Sequence, residues 1–475
     1  MITSISWKNV WRNKHRSLIV IVAVTLGTVA GVFVAGLMKG WSDQRVNAAI
    51  YTEASHLKIQ NPEYLNNEEI SLTIKDYDVV KQFLSSQSNI DKFTSRSKVV
   101  AMAATSRGNT SVTLKGINLE EEKQISNVHE FIVKDGGSYF DVTHNNPIVI
   151  SDKTAEQLRI KTFRITTELI DSLKTLQVPE NVLAVAQDYE GRRFYSKTKF
   201  RKAFETQLSN SEARSYGALI TELAKNYQLR SKIVFTFTDM NGEMTYQSYR
   251  VCGIYKTSNT AFDVQNAFVL HNDLANVAGF GPGDYHEIAA LVNLETSTEK
   301  AEQLAISTKF PQTSVMTWRE LVPDAAMLAD IMDVYYFIIM GIIFLALAFG
   351  IVNTMLMAIM ERIKELGMLM AIGMKKKKVF WMIMLETVFL TFTGSVIGMA
   401  LGALVLKITG HTGLDFSSVG EGFEAVGFAA IVYPNIEWNF FFGIVVLVIL
   451  VGVLSSIPPA RKALKLKPID ALRTE

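Results

Sequence analysis

Four long apolar runs set the terms for everything else this chain of 475 residues can fold into. Leu18 to Met38 carries no charged residue over twenty-one positions. At about 1.5 Å per residue such a helix crosses a hydrocarbon layer roughly 30 Å thick. Val334–Met360, Val379–Leu406 and Phe440–Ile457 read the same way, the third with one charge, Glu386. A buried core helix is usually shorter and keeps a polar stripe, which these runs lack. They predict spans at 18–40, 334–360, 379–406 and 438–457. Lys8, Arg12, Lys14 and Arg16 precede the first, whose apolar core is too long for a cleaved signal, so it reads as an uncleaved anchor.

Lys and Arg beside span ends stay on the cytoplasmic side. Basic residues crowd the segment 1–17, the segment 361–378 (Arg362, Lys364 and Lys375 to Lys378) and the tail 458–475 (Arg461, Lys462, Lys465, Lys467, Arg473). The loop 407–437 instead carries Lys407 against Asp415, Glu421, Glu424 and Glu437. The pattern places both termini inside and residues 41–333 outside.

The large segment reads as mixed α and β. Ser55–Gln60 and Lys98–Ser106 have strand character, and KIVFTFTDMNGEMTYQSYRVCGIY reads as a hairpin with Asn241-Gly242 at its turn. Residues 161–228 change to helical spacing and read as an inserted helical lobe. Helical patterns leading out of span one and into span two predict stalks. The expected fold is an α-helical membrane domain of four transmembrane helices with a large mixed α/β extracytoplasmic domain between helices one and two.

Several chemistries find no support in the sequence. No GxxxxGK[ST] phosphate loop, HExxH pair or GxSxG elbow occurs. His129-Glu130 and His286-Glu287 lack a further ligand at helical spacing, and Cys252 reads as a small buried residue in a strand. The reading is a chain that is not an enzyme, with no cofactor or metal of its own and no nucleic-acid partner.

ERIKELGMLMAIGMKKKK, residues 361–378, lies between spans two and three. Ile363, Leu366, Met370 and Met374 share one helical face, while Glu361, Lys364 and Glu365 lie off it. Such a face needs burial, against lipid or in a groove of a cytoplasmic protein, and the lysines read as a positive-inside stop before span three.

ERIKELGMLMAIGM resembles the ER-x-x-E-[LIF]-G-x-[LM]-x-A-[LI]-G-[MA] signature of permeases in the MacB/Lol/FtsX-type ABC transporter superfamily. ISWKNVWRNKHRSL, HLKIQNPEY and PPARKALKLKPIDALR resemble that family's entry, first exterior strand and tail. The resemblance implies a subunit of the bacterial cytoplasmic membrane whose 361–378 helix couples to a separate ABC ATPase dimer, which supplies ATP and Mg2+. On that basis Glu361, Arg362 and Glu365 are the expected polar contacts, and Gly367, Ala371 and Gly373 the small positions. A second permease, of the same or a related chain, would complete the unit. Lipoprotein release is the leading reading, with a lipid-anchored protein as substrate and membrane lipids as partners. MacB-type export of peptides or drugs and FtsX-like transmission to an exterior partner are the alternatives. Val24, Thr28, Phe344 and Asn353 are the corresponding cavity-lining candidates. One departure from the family pattern is an insertion of about seventy residues after Ile160.

Small residues Thr25, Gly27, Thr28, Gly31 and Gly36 form a stripe on span one that reads as helix packing. Glu386, about 12 Å into span three, is either functional or paired with a nearby Lys or Arg.

Overall fold

The computed structural model describes residues 2–12, 14–140, 145–417, 420–436 and 438–465. Glu437, Lys467, Arg473 and the end of the tail motif lie outside them. The chain divides into two compact units, residues 1–46, 326–421 and 429–475 in the first and 47–325 with 422–428 in the second.

Among the described residues, the first unit holds four helices long and apolar enough to cross a membrane. Spanning helix one is Lys14–Ala48, running on as a π-helix Ala49–Ala54; helices two, three and four are Pro323–Glu361, Lys376–Thr412 and Trp438–Lys465. A short N-terminal helix, Ile2–Arg12, precedes them. Glycines let these helices approach one another, since within a lipid phase close van der Waals packing replaces the hydrophobic drive. Gly394, Gly398 and Gly402 recur every four residues on helix three. A Cβ on each would stand 2.8 Å from Val24, 2.6 Å from Thr28 and 2.9 Å from Val32, which recur at the same interval on helix one. Thr25 Oγ1 donates to the Gly394 carbonyl at 3.1 Å. The stripe on helix one serves two neighbours, because Gly27 and Gly31 face Leu347 and Met340 of helix two while Gly36 faces Leu406 of helix three.

The second unit is built on one ten-stranded sheet. Its strands are β1 (Leu57–Gln60), β2 (Ile90–Ala104), β3 (Asn109–Ile117), β4 (Ile132–Gly137), β5 (Pro147–Ser151), β6 (Lys232–Thr238), β7 (Met244–Tyr255), β8 (Asn266–Leu270), β9 (Glu287–Val292) and β10 (Ser314–Thr317). Strand order β2-β3-β8-β5-β7-β6 returns to β2 through the pairing Met102–Ala104 with Val234–Thr236, so six strands close into a barrel. Its interior is filled by alternating residues: Val99 and Ala101 of β2, Val112 and Leu114 of β3, Ile148 and Ile150 of β5, Ile233 and Phe235 of β6, Val251 of β7, Val269 of β8. Closure removes the edges that these strands would otherwise expose. The first half of β2 carries β9, β1 and β10 outward as an open extension with its own core around Leu57, Ile59, Ile288 and Ile306. At the β6–β7 turn Gly242 takes φ +80°, and Asp239 caps the turn by accepting the N–H groups of Asn241 and Glu243.

The inserted lobe is not purely helical. Strands Lys161–Arg164, Arg193–Phe194 and Lys225–Tyr227 form a small sheet beneath four helices. Their two to four residues are too short for alternation to register in sequence. Phe163, Leu173, Phe200, Phe204 and Ile220 form a separate core there. Lys161, at the lobe's entry, and Tyr227, at its exit, both bond Asp152 at 2.7 Å. Segment 422–428 of the loop after helix three belongs to this unit, with Glu424 Oε1 2.7 Å from Lys256 Nζ.

Candidate functional site: the link between helices two and three

The segment after helix two breaks into pieces that the sequence reads as one. Helix two ends at Glu361; Arg362 leaves helical geometry at φ −103°, ψ 15°; a new helix runs from Ile363 to Ala371. Gly373 then takes φ +99°, a conformation that glycine alone adopts freely, and Lys375 caps helix three. The four lysines thus form the cap and first turn of helix three.

The face Ile363, Leu366, Met370, Met374 packs on the spanning helices of its own chain: Ile363 and Leu366 are buried, and both methionines lie against the same core. Glu361, Lys364, Met368, Ala371 and Ile372 face outward. Among these Met368 is 52% and Ile372 79% exposed, large apolar side chains on a surface shared with Glu361 and Lys364. Gly367 is buried, whereas Gly373 is exposed, with open space for 4 Å around the point a Cβ would occupy.

Arg362 points the other way from Lys364. Its Nη1 donates to Glu386 Oε1 at 3.1 Å and Oε2 at 3.2 Å, and its Nε to Glu365 Oε2 at 3.1 Å. Met355, Ala358, Ile359, Leu366, Met382 and Ile383 surround the Arg362–Glu386 pair. The side chain of Glu386 is 5% exposed and that of Arg362 15%, so each carries its charge out of water and depends on the other. Glu365, half exposed, also accepts from Arg12 of the N-terminal helix. That bond, followed by those from Arg362, holds its carboxyl below the usual carboxylate range. The N-terminal helix is fixed against helix three in turn: Ser6 Oγ donates to the Met382 carbonyl at 3.2 Å, Val10 is buried, and the Trp7 ring meets Phe389 edge-on at 5.4 Å.

Of the cavity candidates, Val24 and Thr28 are fully buried against the glycines of helix three, so helix packing occupies that face of helix one. Phe344 is half-buried against the bundle core, and Asn353 is exposed on helix two. The sequence reading missed the Gly394-Gly398-Gly402 seam, whose four-residue repeat was its available signal. His286 lies elsewhere, buried beside β2. It accepts the Lys98 N–H and donates to the Ile70 carbonyl, and burial pushes its pKa down to about 4.

Residues 337–468 match the family described as FtsX-like permease, C-terminal. The chain is 28% identical over 234 residues to the ABC transporter permease MJ1507 of Methanocaldococcus jannaschii, covering 48% of this chain and 56% of that one. It is 27% identical over 263 residues to the ABC transporter permease YknZ of Bacillus subtilis, covering 52% and 60%. The macrolide export ATP-binding/permease protein MacB of Bdellovibrio bacteriovorus is 32% identical over 130 residues, 26% of this chain and 17% of that protein. The chain thus spans less than two thirds of the length of each. Among solved structures, the extracellular domain of the YknZ transporter from Gram-positive bacteria aligns at TM-score 0.27 and 14% identity, over 55% of this chain and 99% of that domain. Over residues 337–468 the chain is thus similar to FtsX-like permeases, and ABC transporter permeases of MacB and YknZ type are among the proteins it resembles.

Proposed function

We propose that the chain is the permease subunit of an ABC transporter in which a separate ATPase, using ATP and Mg2+, seats the helix Ile363–Ala371 in a groove and drives work outside the membrane. The observation that carries this reading is the division of that helix into two faces. One packs on the chain's own core; the other offers exposed Met368 beside Lys364, with Ile372 just past the last residue of the helix. Adaptable apolar anchors rimmed by charge suit a helix laid into a protein groove. The basic flanks put this helix and both termini in the cytoplasm and the barrel unit outside.

Closure of an ATPase dimer moves two grooves, and one chain supplies one helix, so a second permease of the same or a related kind completes the unit. Helix two supports this. Only 17% of its apolar window is buried, against 44% for helix one, and Asn353 stands on its uncovered surface. A polar side chain facing lipid is costly and gains a partner when a second chain covers it.

Release of a lipid-anchored protein is the substrate reading we favour, because a second permease facing helix two would enclose a cavity that acyl chains can enter from the bilayer. Export of peptides or small molecules is the second reading, favoured by the likeness to MacB proteins. The test is ATP hydrolysis by the purified chain with and without its ATPase, then reconstitution with an acylated or an unacylated cargo. Hydrolysis is expected only with the ATPase present, and turnover stimulated by the acylated cargo. Hydrolysis by the chain alone would refute the first claim; stimulation by unacylated cargo alone would move the substrate to the second reading. Cysteines at Ser209 and Asn435 should label from outside intact cells while Lys376→Cys does not.

A further inference from the structure

Arg362 is expected from sequence to face the ATPase, yet its guanidinium is turned into the bundle. We infer that Arg362 and Glu386 are positioning residues: they form a strut that fastens the coupling helix to spanning helix three, so that a push on the former is delivered to the latter. The inference rests on the coupling-helix reading above.

The need for a strut follows from the backbone. The coupling helix of nine residues is bounded by two breaks, the non-helical Arg362 and Gly373 at φ +99°. A short rod between two hinges pivots unless a side-chain contact fixes it. Its inward apolar residues, Ile363 and Leu366, resist separation but little resist sliding, because apolar contacts are not directional.

Arg362 supplies direction. Its planar fork sends Nη1 to Glu386 and Nε to Glu365, so the guanidinium is fixed in two directions at once, as a lysine ammonium on a flexible stem would not be. Met355, Ile359, Met382 and Ile383 wall the pair with apolar side chains. Glu365 continues the chain of charges to Arg12. N-terminal helix, coupling helix and helix three are thereby tied through four alternating charges, all within the membrane unit. Arg362→Lys preserves charge and loses the fork, so it separates directional fastening from simple neutralisation.

Two measurements test this on the full chain. In detergent, thermal unfolding of Arg362→Ala, Glu386→Ala and the double variant should show strong non-additivity, the double losing less than the two singles summed. Additive losses would overturn the pairing, whatever the ATPase does. In nanodiscs with the ATPase, maleimide labelling of a cysteine at Met368 reports groove docking, and labelling of one at Ile408, toward the far end of helix three, reports transmission. A non-hydrolysable ATP analogue should change both rates in the parent. With Glu386→Gln or Arg362→Lys the Met368 response should persist while the Ile408 response falls by at least about fivefold, the low end of coupling between linked sites. The exchange Arg362→Glu with Glu386→Arg should restore it in part. An undiminished Ile408 response in Glu386→Gln would overturn the strut. Absence of any Met368 response in the parent would instead sink the groove reading and leave the unfolding cycle to decide the pair.

Discussion

Two arginines, one in each unit, bridge two glutamates apiece, and the surroundings make them different devices. In the barrel unit Arg96 bonds Glu122 through Nε and Nη2 at 2.8–2.9 Å and Glu287 through Nη1 at 2.9 Å. The side chains are 4% and 1% exposed, and Lys58 and Lys98 close on Glu287 from the neighbouring strands. Burial opposes ionisation of Glu287, but the surrounding cations, Lys98 first, hold its pKa well below the usual carboxylate range. In the membrane unit Arg362 runs from Glu386, 5% exposed, to Glu365, 48% exposed. The first network is sealed, with Arg96 and Glu287 on paired strands and Glu122 on the short helix Leu119–Ile125; the second grades from the bundle interior to solvent across a backbone break. A sealed network staples a domain, whereas a graded one links its interior to whatever binds its surface.

The comparison breaks if the sealed network proves dispensable. Arg96→Met leaves two carboxylates buried without their shared partner, and loss of one member of a buried pair costs about 3–5 kcal/mol. The barrel unit should unfold early in a thermal scan while the membrane unit keeps its helicity by circular dichroism. Simultaneous melting of both units would show that the two networks are not independent.

A second, smaller effect concerns the seam that holds helix three in place. Gly398→Val sets a branched side chain where a Cβ already stands 2.6 Å from Thr28. Overpacking of this kind costs about 1–3 kcal/mol. Detergent half-life should shorten, and Thr28→Gly should recover part of it.

A pH effect is confined to the barrel unit. Lys115, on β3 beside Lys98, lies 5.0 Å from the Phe262 ring and 5.8 Å from that of Phe268, and forms no ion pair among the described residues. Burial pulls its pKa from 10.5 down to about 7. Between those values the unfolded chain binds the proton and the folded one does not, so stability rises with pH across that window and levels off on either side. Lys115→Met should flatten the part of the rise in melting temperature between about pH 7 and pH 10 that the parent shows; an unchanged rise would assign it to other groups, Lys58 among them.

Smallest is Glu365→Gln. The group is half exposed, and such pairs contribute under about 1 kcal/mol, so folding should hardly change while the tie to Arg12 is lost. A large loss of stability would mean that Glu365 belongs with the sealed kind of network.

These differences bear on what a sequence reveals. The four spans were legible because apolar length is a local property, and the mixed character of the second unit because strand and helix periods differ locally. Barrel closure was not: it depends on Met102–Ala104 pairing with Val234–Thr236, segments some 130 residues apart with no local signal of their register. The two-faced character of the linking helix was half legible. Its period separated Leu366 from Lys364, but nothing in ERIKELG says that Arg362 turns inward, because the reason is Glu386, on another helix 24 residues later. Glu386 itself stood out as a charge in an apolar run, and the pairing with a nearby Arg was one of the two readings it allowed.

On the function proposed, the outward face of the helix Ile363–Ala371 meets the ATPase while its inward face belongs to the bundle. Photo-crosslinking residues placed one at a time at Met368 and Leu366, in the full chain co-expressed with its ATPase, test it most directly. Capture of the ATPase from position 368, with position 366 joining only to the chain's own helices, is the expected result. Capture from 366 with none from 368 would contradict it.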